Sequence, residues 1–260
     1  MGRFAVILPA AGRSTRFGDP KQKKIYVDLD GRAVWLRAAD SFLGRDDVAQ
    51  VIVAIHPEDR ELFDRRYGAE VAFREITVVE GGAERHDTIA KALEAVDPSV
   101  DHVAVHDAAR PCLASEQVDA VFAAAIEHGA ALLAVAVADT LKRVGLDGVI
   151  VETVPRAGLF GAQTPQVFRK DLLVRAYANR AGLDEAITDD TQLVEAIGHP
   201  CHVVEGSPMN LKITTAADLR LASAILKALP RPPRDTPLHP FSDESAKWEQ
   251  GPKRSLDDLF

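Results

Sequence analysis

From Phe4 to Val137 the chain alternates short apolar runs with amphipathic stretches. Phe4-Ala5-Val6-Ile7-Leu8 is apolar at every position, the pattern of a strand covered on both faces. Val48 to Ile55 is β-branched and reads as a second strand, followed by His56-Pro57 and a charged helix from Glu58 to Tyr67. Ile76 to Val79 predicts a third strand, ending in Glu80-Gly81-Gly82. Glu84 to Val96 is helical by spacing, with Ile89, Leu93 and Val96 on one face. His102 to His106 is a strand ending in Asp107, Gln117 to His128 a helix, and Ala130 to Val137 a further strand. This β-α-β order predicts an α/β, Rossmann-like fold: a mostly parallel twisted sheet with helices on both faces. Ligands of such folds gather outside the carboxyl ends of the strands, where Gly12, Gly81 and Asp107 all fall.

Two regions break the alternation. Lys142-Arg143-Val144, then Leu146-Asp147-Gly148, then Val149 to Val154 reads as a β-hairpin with an Asp-Gly turn, part of an arm over 139–156. Such an insertion has no obvious place to pack on its own monomer, so a lid and a dimerisation arm are both open. From Pro230 the sequence loses its periodicity, and Pro230-Arg231-Pro232-Pro233-Arg234 predicts a linker or disordered tail over 230–260 behind a domain over 1–229.

Composition narrows the function. The 260 residues are 47% hydrophobic and 27% charged, as in ordinary globular proteins, and the net charge of −8 argues against a general nucleic-acid binder. Cations near a ligand are therefore a local feature. Two cysteines, Cys112 and Cys201, make no disulfide framework and fit a reducing cytoplasm. The apolar run after Met1-Gly2-Arg3 is too short for a signal sequence or a membrane span, so no membrane association is expected.

The first strand breaks into Pro9-Ala10-Ala11-Gly12-Arg13-Ser14-Thr15-Arg16. Ala10, Ala11 and Gly12 have no bulk to hold a ligand off the backbone N–H groups, and Arg16 adds a forked cation suited to phosphate. Lys21, in Pro20-Lys21-Gln22, adds another. The plain alternative is a chain-turning loop. Neither Gly-Lys-Ser/Thr nor Gly-x-Gly-x-x-Gly is present, which disfavours a P-loop ATPase or a dehydrogenase and leaves a nucleoside triphosphate site of another kind. Asp107, in His106-Asp107-Ala108-Ala109-Arg110-Pro111, either caps the next helix or holds a magnesium ion together with substrate phosphates.

These pieces, taken in order, resemble the 2-C-methyl-D-erythritol 4-phosphate cytidylyltransferase family, nucleotidyltransferases with a GT-A-like fold. The resemblance rests on Pro9 to Gly12 with Arg16, Pro20-Lys21-Gln22, Gly81-Gly82-x-Glu84-Arg85 and His106 to Pro111. It continues through Asp139-Thr140-x-Lys142-Arg143, Thr164-Pro165-Gln166, Thr188-Asp189-Asp190 and Asn210-x-Lys212-x-Thr214, spanning about Arg3 to Leu229. It implies transfer of a cytidylyl group from CTP to a polyol phosphate with release of pyrophosphate, assisted by Mg2+. By the same resemblance Arg16, Lys21 and Lys212 are catalytic cations. Pro9, Ala10, Ala11, Gly12, Gly81, Gly82, Arg85 and Thr88 bind the nucleotide. Asp107, Arg110 and Thr164 on one subunit, with Thr140 and Arg156 from the arm of a partner subunit, take the polyol phosphate; Asp107 also holds the metal. A homodimer through the arm follows.

Ser14, Lys23 and Ala83 stand where relatives often carry glycine, an aromatic residue and an acid. No cyclase-type domain follows in this sequence, so the two-enzyme fusion of the pathway is not expected. The rival acceptor is ribitol 5-phosphate. A rival of another class is a catalytically silent nucleotide-binding regulator, against which the presence of Arg16, Lys21, Asp107 and Lys212 argues.

Overall fold

A computed structural model describes residues 2–12, 17, 23–180 and 187–229. The expected tail over 230–260 lies outside them, as do Ser14, Arg16 and Lys21.

The described strands form a seven-stranded sheet and a separate two-stranded one. In the chain β1 (Phe4–Ala10) is followed by α1 (Val34–Asp40), β2 (Val48–Ile55), α2 (Arg60–Phe73), β3 (Thr77–Glu80), α3 (Arg85–Glu94), β4 (His102–Val105), α4 (Ser115–His128) and β5 (Ala130–Ala136). After these come β6 (Leu141–Val144), β7 (Ile150–Val154), β8 (Phe160–Arg169), α5 (Lys170–Ala178), α6 (Asp190–Ala196), β9 (His202–Glu205) and α7 (Ala216–Ala228). The large sheet runs β3-β2-β1-β4-β8-β5-β9. Its pairs are parallel except where β8 lies antiparallel between β4 and β5.

The all-apolar β1 is explained by burial on both faces. Val6 and Leu8 face one core with Trp35, Phe42, Phe63 and Phe122. Ile7 faces the other with Ile52, Ile89, Phe168, Leu172 and Val194. Each large side chain buried there contributes about 1.5–3 kcal/mol relative to exposure. With both faces covered, the strand ends are what remains for a ligand. Those of β1, β2, β3 and β4 open on one edge of the sheet.

The hairpin is present as β6 paired antiparallel with β7, and Gly148, in its turn, adopts φ +79°, a conformation that suits glycine. Its apolar side chains point outward: Val144, Leu146, Val149, Ile150 and Val151 are all more than half exposed. The charged helix after His56-Pro57 is longer than its sequence suggests, reaching Phe73 behind a 3-10 turn at Pro57–Asp59.

Candidate active site

Ala11 and Gly12 follow β1, and the Gly82–Glu84 segment leads into α3. Together with the Asp107–Ala109 segment after β4 and Lys212, they line a cleft of about 510 Å³, a size suited to a small ligand. Pro9, Ala10, Ala11, Gly12, Gly82, Arg85, Thr88, Asp107 and Lys212 all border it. Nine residues singled out from the sequence are thus brought together.

The glycine pair is required by close approach. A Cβ on Gly81 would meet the Ala11 Cβ at 2.6 Å and Thr88 Oγ1 at 2.8 Å; on Gly82 it would clash with the Asp87 Cβ. Bare backbone is the only way to seat this turn against the β1 loop and α3. Thr88 ties it down: its hydroxyl donates to the Glu84 carbonyl and accepts from the Gly82 N–H, both at 3.0 Å. Lys91 donates to the Gly81 carbonyl at 3.0 Å. Thr88 therefore shapes the turn from within.

Asp107 is the centre of charge. Lys212 Nζ lies 2.7 Å from its Oδ2, Arg110 Nε 3.6 Å from the same oxygen, and Arg85 Nε 3.8 Å from Oδ1. Burial opposes ionisation, but Lys212, Arg85 and Arg110 outweigh it and hold the carboxyl well below the usual carboxylate range. Lys212 is aimed there by its loop. Asn210 donates to the Thr164 carbonyl at 2.8 Å, and the Ile213 N–H donates to the Ala109 carbonyl at 2.8 Å.

Arg110 and Thr164 sit beneath the cleft instead of lining it, and both are buried. Arg110 Nη1 donates to the Asn210 carbonyl at 2.7 Å. Thr164 is one link in a chain fixed by His106. Burial pushes the His106 imidazole down to about 4, so it is neutral near pH 7. A carbonyl only accepts, so His106 Nε2–H donates to the Arg110 carbonyl at 3.0 Å, and Nδ1 accepts from the Thr164 hydroxyl at 3.2 Å. Thr164 Oγ1 in turn accepts from the Asp107 N–H at 3.0 Å. Its proton is thus spent internally, and the Thr164 hydroxyl positions Asp107.

Thr140 and Arg156 are exposed, at the two ends of the arm, and neither borders this cleft. Lys23 pairs with buried Asp59 at 2.7 Å, and Tyr26 donates to the same carboxylate at 3.0 Å. Lys24, not singled out from the sequence, also lines the cleft and donates to the Ile213 carbonyl at 2.7 Å. Burial pushes both cysteine thiols up to about 12.

Among the described residues no group of three or more His, Cys, Asp or Glu is gathered to hold a metal. The oxygen donors at the cleft are the carboxylates of Asp107 and Glu84, and the His56 imidazole also borders it. That set fits magnesium, which takes one or two carboxylates and completes its shell with water and substrate phosphate, and does not fit a closed protein cage.

The family model of 2-C-methyl-D-erythritol 4-phosphate cytidylyltransferase matches residues 4–228. The chain belongs to this family. A 2-C-methyl-D-erythritol 4-phosphate cytidylyltransferase of Rhodopirellula baltica is 43% identical over 85% of this chain and 94% of its own. Among solved structures, a 4-diphosphocytidyl-2C-methyl-D-erythritol synthase from Anaerococcus prevotii superposes with a TM-score of 0.74 at 27% identity, covering 87% of this chain and 96% of its own. The family enzyme of Thermus thermophilus gives 0.69 at 33% identity, covering 87% of this chain and all of its own. The family accounts for two expectations from the sequence: the α/β fold with a mostly parallel sheet, and a cytidylyltransferase as its chemistry. Among the described residues no helix is long and apolar enough to cross a membrane.

Proposed function

We propose that the chain transfers the cytidylyl group of CTP to 2-C-methyl-D-erythritol 4-phosphate, giving 4-diphosphocytidyl-2-C-methyl-D-erythritol and pyrophosphate in the non-mevalonate route to isoprenoid precursors. The observation that carries this reading, beside the family match, is Asp107 ringed by Lys212, Arg85 and Arg110 at the mouth of the Ala10–Gly12 loop. An oxygen of the acceptor phosphate attacks the α-phosphorus of CTP. A new P–O bond forms, the bond to the bridging oxygen breaks, and pyrophosphate leaves. The acceptor's second pKa is near ~6, so it is mostly dianionic at pH 7 and needs no general base.

The barrier is the repulsion of two anions, and the chain's own work is to offset it and to align the reactants. Lys212 is placed for this on the cleft floor, and Arg16 and Lys21 are assigned the same task. The Ala10–Gly12 and Gly81–Gly82 backbones take the nucleotide, their close packing leaving room for a pyrimidine. Magnesium is part of the proposal: Asp107 would hold it, and it would supply Lewis-acid charge neutralisation. Thr140 and Arg156 reach the acceptor of a partner subunit, which makes the active form a homodimer through the arm. Free thiols and water-soluble substrates fit a cytoplasmic setting.

The test is pyrophosphate release from CTP with and without magnesium, comparing 2-C-methyl-D-erythritol 4-phosphate with ribitol 5-phosphate. Turnover with the first acceptor alone is expected. Preference for ribitol 5-phosphate would replace the acceptor and keep the CTP chemistry. Full rates in a chelator would remove the metal, and silence with both acceptors would sink the enzyme reading.

A further inference from the structure

Two motifs noted in the sequence carry no role so far: Gln166 of Thr164-Pro165-Gln166, and Thr188-Asp189-Asp190. In the folded chain they dock on each other. Gln166, buried on β8, accepts from the Asp190 N–H at 2.9 Å and from the Thr191 N–H at 3.2 Å. Its amide donates to Asp189 Oδ2 at 3.1 Å. Asp189 Oδ1 also caps α6 by accepting from the Gln192 N–H at 3.0 Å. A single glutamine thus fixes where α6 begins, and with it the Asp190 side chain.

Asp190 is fully buried, an expensive place for a carboxylate unless it is paired. Its Oδ1 accepts from Tyr177 at 2.5 Å, and its Oδ2 from Arg85 Nη2 at 2.7 Å. Arg85 borders the cleft, and its Nε is 3.8 Å from Asp107. One guanidinium is therefore shared unequally between two carboxylates. The shorter bond, to the deeper group, sets the plane of the fork and keeps Arg85 from closing on Asp107.

We propose that Asp190, seated by Gln166 and Tyr177, is a positioning residue that holds Arg85 at the nucleotide end of the cleft and keeps Asp107 available to the ligand. The proposal rests on the CTP reading above. It predicts that a variant lacking the Asp190 charge lets Arg85 collapse onto Asp107, so that affinity for CTP falls.

The experiment is a double-mutant cycle of Asp190→Asn and Arg85→Gln in the full chain, read by CTP titration calorimetry and by KM and kcat for each substrate. Asp190→Asn should weaken CTP binding about tenfold. In the Arg85→Gln background the same change should have less than a twofold further effect on CTP. Equal losses in both backgrounds would show that Asp190 does not act through Arg85 and would overturn the proposal. Unchanged CTP affinity, with or without a lower melting temperature, would overturn it too. Should Asp190→Asn fail to fold, Tyr177→Phe removes one bond to the same carboxylate and should weaken CTP binding two- to threefold, suppressed again by Arg85→Gln; no change would count against it. Failure of the unaltered protein to bind CTP would sink the reading beneath the proposal, a result distinct from any of these.

Discussion

The cleft and the arm treat charge in opposite ways. From the cleft wall inward, Lys212, Asp107, Arg85 and Asp190 follow one another as alternating cation and anion, fastened to β8, α3, α5 and the Asn210 loop. On the arm, Arg143 and Glu152 also pair, at 2.6 Å, but their side chains are 64% and 53% exposed. Such a pair is screened and contributes little, typically below about 1 kcal/mol. The difference separates two tasks. The partly buried pairs hold the side chains of the cleft in one geometry, whereas the arm leaves its apolar and charged side chains exposed.

Breaking the cleft should cost most. Lys212→Ala removes the cation 2.7 Å from Asp107, and kcat for pyrophosphate release should fall about 100- to 1,000-fold with little change in melting temperature. A loss below tenfold would take Lys212 out of the transition state. Next is pH. The folded His106 pKa of about 4 lies below that of an exposed histidine, about 6.5, so the unfolded chain binds the extra proton between these values. Stability should therefore fall as pH drops from about 6.5 toward 4, by at most about 3 kcal/mol, with His102 adding in the same direction. Asp107, depressed by its cations, withdraws its own contribution only below that window, as pH falls through its folded pKa. Urea denaturation across the range checks this, and His106→Gln should flatten the slope.

The arm gives the smaller effects. Arg156→Ala should raise KM for the acceptor about 10- to 100-fold, the scale of one charge-assisted contact, with KM for CTP unmoved. Mixing that variant with Lys212→Ala should restore up to about a quarter of wild-type activity, because half the dimers then hold one intact site. No recovery would place the arm's contacts within one chain. Smallest of all, Glu152→Ala should alter stability by less than about 0.5 kcal/mol in chemical denaturation.

How much of this was legible in the sequence depends on how local the cause is. The parallel strands announced themselves because burial on both faces writes an unbroken apolar run such as Val6-Ile7-Leu8. The hairpin was legible because Asp147-Gly148 is a short-range turn signal. The antiparallel β8 was not: its direction is set by pairing with β4 and β5, far away in the chain. Without the family resemblance Gly81-Gly82 reads more readily as a plain turn, since the contact with Ala11 that demands it is tertiary. Arg110 and Thr164 carry the residue types of a phosphate site, and only packing reveals them as supports under Asp107. Tyr177 gave no signal at all, being one aromatic among the buried residues of α5. The expectations for Arg16, Lys21 and the tail fall outside the described residues.

The outward apolar side chains of the arm also bear on how the protein behaves on dilution. If each cleft borrows Arg156 from a neighbour, subunit association becomes a step of catalysis, and mass action governs it. Specific activity should then stay constant at high protein concentration and decline once dilution passes the dissociation constant of the pair. Well below that point the rate would scale with the square of the enzyme added, so the quantity of this protein in a cell would set its activity per molecule as well as its total.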